Sequence, residues 1–472
     1  MWDRLKETIK LPWFYSAVAV FCYMFGFYVV VVMLPIIIER SLGLPAVIIT
    51  FLYMLRFLGG TFYEGILLDI TNQQNTRDSL LLGSVGLILV LFGLYSVQNY
   101  FVYIVLFIFL GVFSGINELK FMENSQSLGK KGVEAYYFAM ASGLFAGFLF
   151  SGILLQFANL RVLFSVAIVF ILIPVLIVAL ASHEPRRKLP LKVLLVKTDL
   201  LREELKAMKF LKDKLKFIFS MKFVAEGLST MKNLFVPLIV INIMQQSESV
   251  VSVLLAASLI PYIIIEKYIS VVIDKTPGFF FLGGHKRRVL GLSLFLMLIT
   301  TFMIPFAKNP WVLGILLVLS SMGYSMLTPM LNLVLLKYYP HNPNEGSGLL
   351  HLSTQAGRLI LISISLLIVF VTGSVLNVFF VPGAIILILF GYLIYDSIKS
   401  GKVEPVNIFH MKYEARKTKV GYAAVKPAYQ KALENYVATA LKAGLKRYEV
   451  EQNLVRKGWN KSRVDEIIQK YE

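Results

Sequence analysis

The sequence predicts an all-α membrane protein of twelve transmembrane helices in two pseudo-symmetric six-helix bundles, with a small helical tail behind them. Three observations predict it. Of the 472 residues, 57% are hydrophobic and 16% charged, and the mean hydropathy is +0.71, which is more apolar surface than soluble domains of this length hide in their cores. Apolar runs of roughly 20 residues, the length that crosses about 30 Å of hydrocarbon as a helix, recur from Trp13 to Tyr395. The basic residues alternate with those runs. If the N-terminus is cytoplasmic, 38 of the 47 Lys and Arg fall on the cytoplasmic side, three outside (Arg40, Arg161, Lys308) and six within spans, as the positive-inside tendency requires.

The spans are expected near residues 13–38, 46–68, 79–97, 101–122, 135–157, 162–181, 218–243, 250–273, 289–307, 311–336, 347–371 and 375–395. Arg4, Lys6 and Lys10 precede a first run too long for a secretory signal core, so it reads as a retained span. Residues 1–182 form one bundle and 218–396 the other. Between them, residues 183–217 hold 11 Lys or Arg against 5 acids. There Leu200, Leu201, Leu205, Met208, Leu211 and Leu215 recur at helical spacing opposite Lys206, Lys209, Lys212 and Lys216, which predicts either a basic amphipathic helix on anionic lipid of the inner leaflet or a solvated linker. Both termini are expected in the cytoplasm and the chain in the cell membrane.

Several function classes are excluded by composition. Cys22 is the sole cysteine, and the five histidines form no spaced cluster, so neither a metal site, a cofactor motif nor a nucleophilic triad is legible and the chain does not read as an enzyme. The formal charge of +19 follows from topology and anionic lipid. Nucleic acid is not an expected partner, because no basic cluster is interleaved with stacking aromatics.

Charge inside the membrane carries the functional reading. An ionised group at mid-bilayer costs at least about 2.5–3.5 kcal/mol on insertion scales, so each needs a partner, a wet cavity or a task. Arg56, Lys232 and Arg358 fall near the middle of spans two, seven and eleven, and no carboxylate is expected as deep. Lys222 and Glu226 are spaced i, i+4 and predict a mutual ion pair. Glu118 and Lys120, Glu64, and Glu266 with Lys267 are shallower, in snorkelling or gating positions. Pro35, Pro237 and Pro329 lie inside spans one, seven and ten, where each frees a carbonyl and permits a bend.

Two further features repeat between the halves. Gly65-Ile66-Leu67-Leu68-Asp69 followed by Arg77 in the first half is answered by Ser270-Val271-Val272-Ile273-Asp274-Lys275 followed by Lys286-Arg287-Arg288 in the second. Gly143, Gly147 and Gly152 with Ser142, Ala146 and Ser151 give the fifth span a small-residue face for close helix contact, echoed by Ala356 and Gly357 in the eleventh. Over residues 10–396 this organisation resembles the major facilitator superfamily, whose loop after the second span carries Gly-x-x-x-Asp-Arg/Lys and whose fifth span is glycine-rich. Both copies depart from that pattern: the first lacks a basic residue directly after Asp69, and the second has Ser270 in place of glycine.

The resemblance implies alternating-access secondary transport of a small molecule, with Gly65, Asp69, Arg77, Asp274, Lys275, Lys286, Arg287 and Arg288 as a gating latch. It also implies that spans one, four, seven and ten line a central cavity which spans two and eleven border. Arg56, Lys232 and Arg358 would then serve an organic anion, with Tyr23, Tyr28, Asn117, Asn233, Ser321, Tyr324, Thr328, Asn332 and Gln355 as further contacts. A second reading is a proton-coupled exporter of hydrophobic cations in which the coupling acid is Glu118 or Glu226. A third, of another class, is a non-transporting scaffold or receptor.

From 397 the chain reads as a water-soluble tail. Tyr429, Leu433, Tyr436, Val437 and Leu441 form a helical stripe, and Ser462 to Asp465 has capping-box form. Leu454, Gly458, Trp459, Val464 and Ile468 resemble a three-helix module of the ubiquitin-associated type over about 427–472, which implies either a docking site for a protein partner or a stabilising appendage.

Overall fold

The computed structural model describes residues 12–63, 76–181, 199–274, 284–338 and 343–400, and all regular structure among them is helical. The first half comprises α1 (Pro12–Val31), α2 (Leu34–Leu42), α3 (Ala46–Phe62), α4 (Thr76–Ser96), α5 (Tyr100–Ser127), α6 (Gly129–Phe157) and α7 (Leu160–Ala181). The second comprises α8 (Asp199–Leu238), α9 (Glu248–Asp274), α10 (Gly284–Met303), α11 (Pro310–Tyr338), α12 (Pro343–Thr372) and α13 (Phe380–Ser400). Among the described residues ten helical segments are long and apolar enough to cross a membrane, α1 and α2 together making the first of them. Two shorter apolar helices, Ala46–Phe62 and Leu290–Phe306, complete twelve.

Lipid as the solvent accounts for the inverted surface. Leu89, Phe101, Phe157 and Ile388 are largely exposed, Phe157 to 80%, whereas Arg56, Lys222, Glu226 and Lys232 are buried. Water would penalise so much open apolar surface; hydrocarbon does not.

The two halves repeat one set of helix contacts. In the first, α1 packs on α6, α3 on α5, and α4 on α5; in the second, α8 packs on α12, α9 on α11, and α10 on α11. The halves meet chiefly through α6 with α9 and α3 with α12, itself a symmetric pair of contacts. Small residues permit the close approaches, as the sequence pattern predicts. A Cβ on Gly143 would stand 2.7 Å from the Phe21 carbonyl oxygen and one on Gly147 3.0 Å from that of Phe25, both on α1. In the second half a Cβ on Gly227 of α8 would stand 2.8 Å from the Gly357 carbonyl oxygen on α12. Gly152 faces the other half: its N–H donates to Ser252 Oγ of α9 at 2.6 Å, and Ser151 Oγ lies 3.0 Å from the same oxygen.

The proximal end of the bundle holds Pro12, where α1 begins; at the opposite, distal end further bonds join the halves. Arg40 of α2 pairs with Glu248 of α9, and Asn242 Nδ2 donates to both carboxylate oxygens of Glu39, at 2.8 and 2.9 Å. Asn242 sits in a single π-helical stretch, Ile239–Ile243, that follows Pro237. Pro237 lacks an N–H, so the Asn233 carbonyl loses its helical partner and the ladder rearranges. The corresponding device in the first span is a break rather than a bend. Met33 separates α1 from α2, and Pro35 occupies the first turn of α2, where no N–H is required.

The basic linker differs from the expectation of a separate helix in the membrane plane. Asp199–Leu238 is one helix of 40 residues, so the Leu/Lys pattern from Leu200 to Lys216 continues directly into the seventh span. The physical reason is that no glycine or proline stands between Asp199 and Gly227 to end the helix. Residues 64–75, with Glu64, Gly65 and Asp69, and Lys275 lie outside the described residues, as does the tail from 401 with its proposed module.

Gly111 of α5 tests the close packing. A Cβ there would collide with the Arg56 carbonyl oxygen of α3, so Gly111→Val is expected to lower stability by about 1–3 kcal/mol, the usual cost of overpacking. Gly291→Ala, whose Cβ would sit 3.7 Å from the Leu393 side chain in ordinary contact, should be nearly neutral. Thermal unfolding of both variants in detergent, read beside the parent, measures the difference.

Candidate functional site

A cavity of about 230 Å³ lies between the halves. On α8, Lys222, Glu226, Ser229 and Asn233 line it at spacings of four, three and four, which put them on one helix face. Around Glu226 three donors converge. Lys222 Nζ donates to Oε1 at 2.5 Å, the Tyr324 hydroxyl of α11 donates to the same oxygen at 2.9 Å, and Arg358 Nη2 of α12 donates to Oε2 at 3.4 Å. Arg358 Nη1 also stands 3.7 Å from Glu118 Oε2 on α5, so this guanidinium pairs with an acid from each half. Its Nε is buried without a hydrogen-bond partner among the described residues.

Lys222, Glu226, Arg358 and Glu118 together are electrically neutral. Two cations on the cavity wall stand outside that group. Lys232 Nζ donates to a neutral hydroxyl, Ser320 Oγ, at 3.2 Å. Arg56, on α3, lies among aromatic rings, its Cζ 5.2 Å from the centroids of Phe27 and Phe57 and 6.0 Å from that of Tyr53. Ring faces attract a guanidinium without neutralising it. Among the described residues neither cation has a carboxylate within ion-pair distance. The wall thus carries four cations against two carboxylates, with Tyr28, Tyr136, Tyr262 and Tyr324 supplying aromatic and hydroxyl surface.

Of the residues singled out from sequence, Arg56, Lys232, Arg358, Asn233, Tyr324, Tyr28, Ser321, Glu118 and Glu226 line this cavity. Tyr23 does not. Five residues separate it from Tyr28, roughly 140° around a helix, so it faces α5, where its hydroxyl donates to the Ser114 carbonyl oxygen at 3.4 Å and its ring lies 5.3 Å from Phe121. Asn117 is turned away from the cavity by one helical step from Glu118 and instead meets α4, accepting from Ser84 Oγ at 3.4 Å. Gln355 faces Gly60 of α3, with Thr354 and Arg358 occupying the cavity face. The side chains of Asn332 and Thr328 lie outside the described ones.

The expectation that no carboxylate reaches the depth of Arg358 is corrected: both Glu118 and Glu226 do. A residue count along each span ignores helix stagger and the length of a guanidinium side chain. Tyr53, Tyr136, Tyr137 and Tyr262 line the cavity unforeseen. Their signal was present for α6, where Tyr136, Met140, Leu144 and Phe148 repeat every four residues on the face beside the glycine stripe. For the latch, Arg77 lies in the first turn of α4, Asp274 closes α9, and Lys286, Arg287 and Arg288 open α10, the side chains of the last four lying outside the described ones.

Residues 218–407 match the family model of the Major Facilitator Superfamily. Solved structures of the same fold extend the likeness across both halves. A single-residue mutant of the nucleoside transporter NupG aligns at 15% identity with a TM-score of 0.62, covering 81% of this chain and 99% of its own. A second NupG structure aligns at 14% with a TM-score of 0.59, covering 82% and 99%. The family match thus covers the second half of the chain, and the shared fold covers both. The human organic anion transporter MFSD10 (TETRAN) also aligns, at 15% identity and a TM-score of 0.53, covering 81% of this chain and 100% of its own. Comparison with curated protein sequences gives no match. Identities this low establish the shared fold alone.

Glu226→Gln should be the more damaging of two carboxylate changes. It strips Lys222 and Arg358 of their nearest acid, and breaking a buried pair by removing one partner typically costs about 3–5 kcal/mol. Glu118→Gln leaves Arg358 its bond to Glu226 and should cost less than half as much. Thermal denaturation of the two purified variants ranks them, and equal losses would contradict the assignment of Glu226 as the hub.

Proposed function

We propose that this protein is a secondary active carrier of a small organic anion, working by alternating access with Arg56 and Lys232 as its anion-binding cations. The observation that carries this reading is the pair of cavity cations without a carboxylate partner among the described residues, beside a neutral cluster that uses up Glu118, Glu226, Lys222 and Arg358. A solvent-filled cavity leaves such cations hydrated and available; an anion replaces that water with charge-assisted hydrogen bonds. Cavity size supports a small solute, since drug-sized ligands occupy roughly 300–1,000 Å³ and this space is about 230 Å³. Export of hydrophobic cations finds no comparable support, as both candidate coupling acids are already engaged by cations. Glu118 and Glu226 remain the groups for any proton coupling, because Arg358 touches both.

The same reading places the proximal end in the cytoplasm of a cell-membrane protein, where most of the 47 basic residues would meet anionic lipid. The residues of the two Asp-centred motifs stand at that end as a latch, and the tail from 427 serves as a docking module for a protein partner.

Purified protein should show thermal stabilisation by anions from a panel of organic anions, cations and neutral solutes, because a ligand that binds only the folded state raises its apparent stability. Arg56→Gln and Lys232→Gln should each weaken the effective anion about 10- to 100-fold, the equivalent of one hydrogen bond to a charged group at about 1.5–3 kcal/mol. Stabilisation by cations or neutral solutes only, or full anion response in both variants, would overturn the proposal.

A further inference from the structure

We infer that the carrier is an obligate exchanger of doubly charged anions: its unloaded form does not cross between its two open states at a useful rate. This deepens the anion reading and rests on it. Arg56 belongs to the first half, on α3, and Lys232 to the second, on α8, and both line the one cavity between the halves. Neither has a carboxylate partner among the described residues, while the other four charges on the wall cancel one another.

Alternating access passes through a state in which the halves close over the cavity from both sides and displace its water. For the empty protein that state brings two like charges together in a medium of low dielectric, with desolvation and mutual repulsion both acting against it. Two negative charges on one bound solute remove both penalties. The loaded carrier then crosses as a neutral assembly, and the return stroke needs a second anion of the same charge. A single negative charge leaves one cation uncompensated and is a poorer passenger. The arrangement fits a dicarboxylate or a phosphate monoester, compact enough for the cavity and able to present oxygens to a guanidinium and an ammonium at once. The Tyr28 and Tyr136 hydroxyls of the wall offer donors to any remaining oxygens.

The full chain in liposomes tests this with labelled succinate, inorganic phosphate and phenyl phosphate as divalent probes and benzoate as a monovalent one. Uptake is measured into vesicles that are empty and into vesicles preloaded with the unlabelled probe. At least one divalent probe is expected to enter preloaded vesicles about tenfold faster or more, a ratio that corresponds to a modest barrier difference between loaded and empty carriers. Lys232→Gln removes one uncompensated charge, so its ratio of exchange to net uptake should fall severalfold even as its affinity drops. Glu118→Gln adds one, and its ratio should rise. The two variants are predicted to move in opposite directions, which a general loss of folding does not produce.

Equal uptake into empty and preloaded vesicles overturns exchange and leaves anion transport standing. Benzoate exchanged as fast as the divalent probes overturns the charge matching. If no anion enters under either condition while a neutral or cationic solute does, the anion reading itself fails.

Discussion

Glu226 holds the charged interior of the second bundle together, because lysine on its own helix, tyrosine on α11 and arginine on α12 all direct their protons at its two oxygens. In a protein whose solvent is hydrocarbon, each of those charges would be expelled or neutralised if left alone. One carboxylate fixes the rotation of three helices about their axes, since any turn that removed a donor would strand a buried ion. The cavity is a consequence of that alignment. Lys222, Glu226 and Asn233 share a face of α8, and the helices answering Glu226 bring Tyr324 and Arg358 to the same space.

The packing between helices is complementary to this polar centre. Glycine on α6 against α1, and on α8 against α12, lets backbones touch where side chains would hold them apart. Because both halves use the same scheme, each is a tightly knit unit, whereas the joint between them is of another kind. It consists of α6 on α9, α3 on α12 and, at the distal end, Glu39 with Asn242 and Arg40 with Glu248. Polar bonds at the bundle end exchange readily for water when they part, at a net difference of about 0.5–1.5 kcal/mol for a typical hydrogen bond. The glycine-packed interiors have no such substitute. The joint is thus the more polar of the two kinds of contact, although Gly152 brings α6 close to α9 there as well.

Much of this was legible in the sequence because lipid imposes a simple rule on composition. Each of the twelve runs contains a helix, and the i, i+4 spacing of Lys222 and Glu226 identified a real ion pair. The glycines of the fifth span announced a close contact that α6 makes with α1. What the sequence did not disclose was rotation and stagger. Tyr23 and Tyr28 are equally plausible as letters, and only the packing of α1 against α5 decides that the first is turned inward to Ser114. Asn117 and Glu118 are neighbours whose faces differ by one helical step. The pairing of Arg358 with two acids was invisible for the same reason, since it depends on three helices whose relative heights no single span records. Tyr136 and Tyr262 were missed because an aromatic in a membrane helix carries no mark of which neighbour it faces.

The position of Arg358 between two acids has a physical sense of its own. Were its only partner Glu118, every separation of the halves would strand a guanidinium on α12 and a carboxylate on α5. Glu226 lies on the same half as Arg358, so that bond travels with it and the cation keeps an acid at either extreme of the motion. The contact to Glu118 is the longer of the two, 3.7 Å against 3.4 Å, and it is the one that crosses the joint between the halves. Loss of that weaker contact exposes Glu118 alone, toward a cavity that also holds Arg56. With both contacts in place the other four charges of the wall cancel, and the uncompensated ones are Arg56 and Lys232.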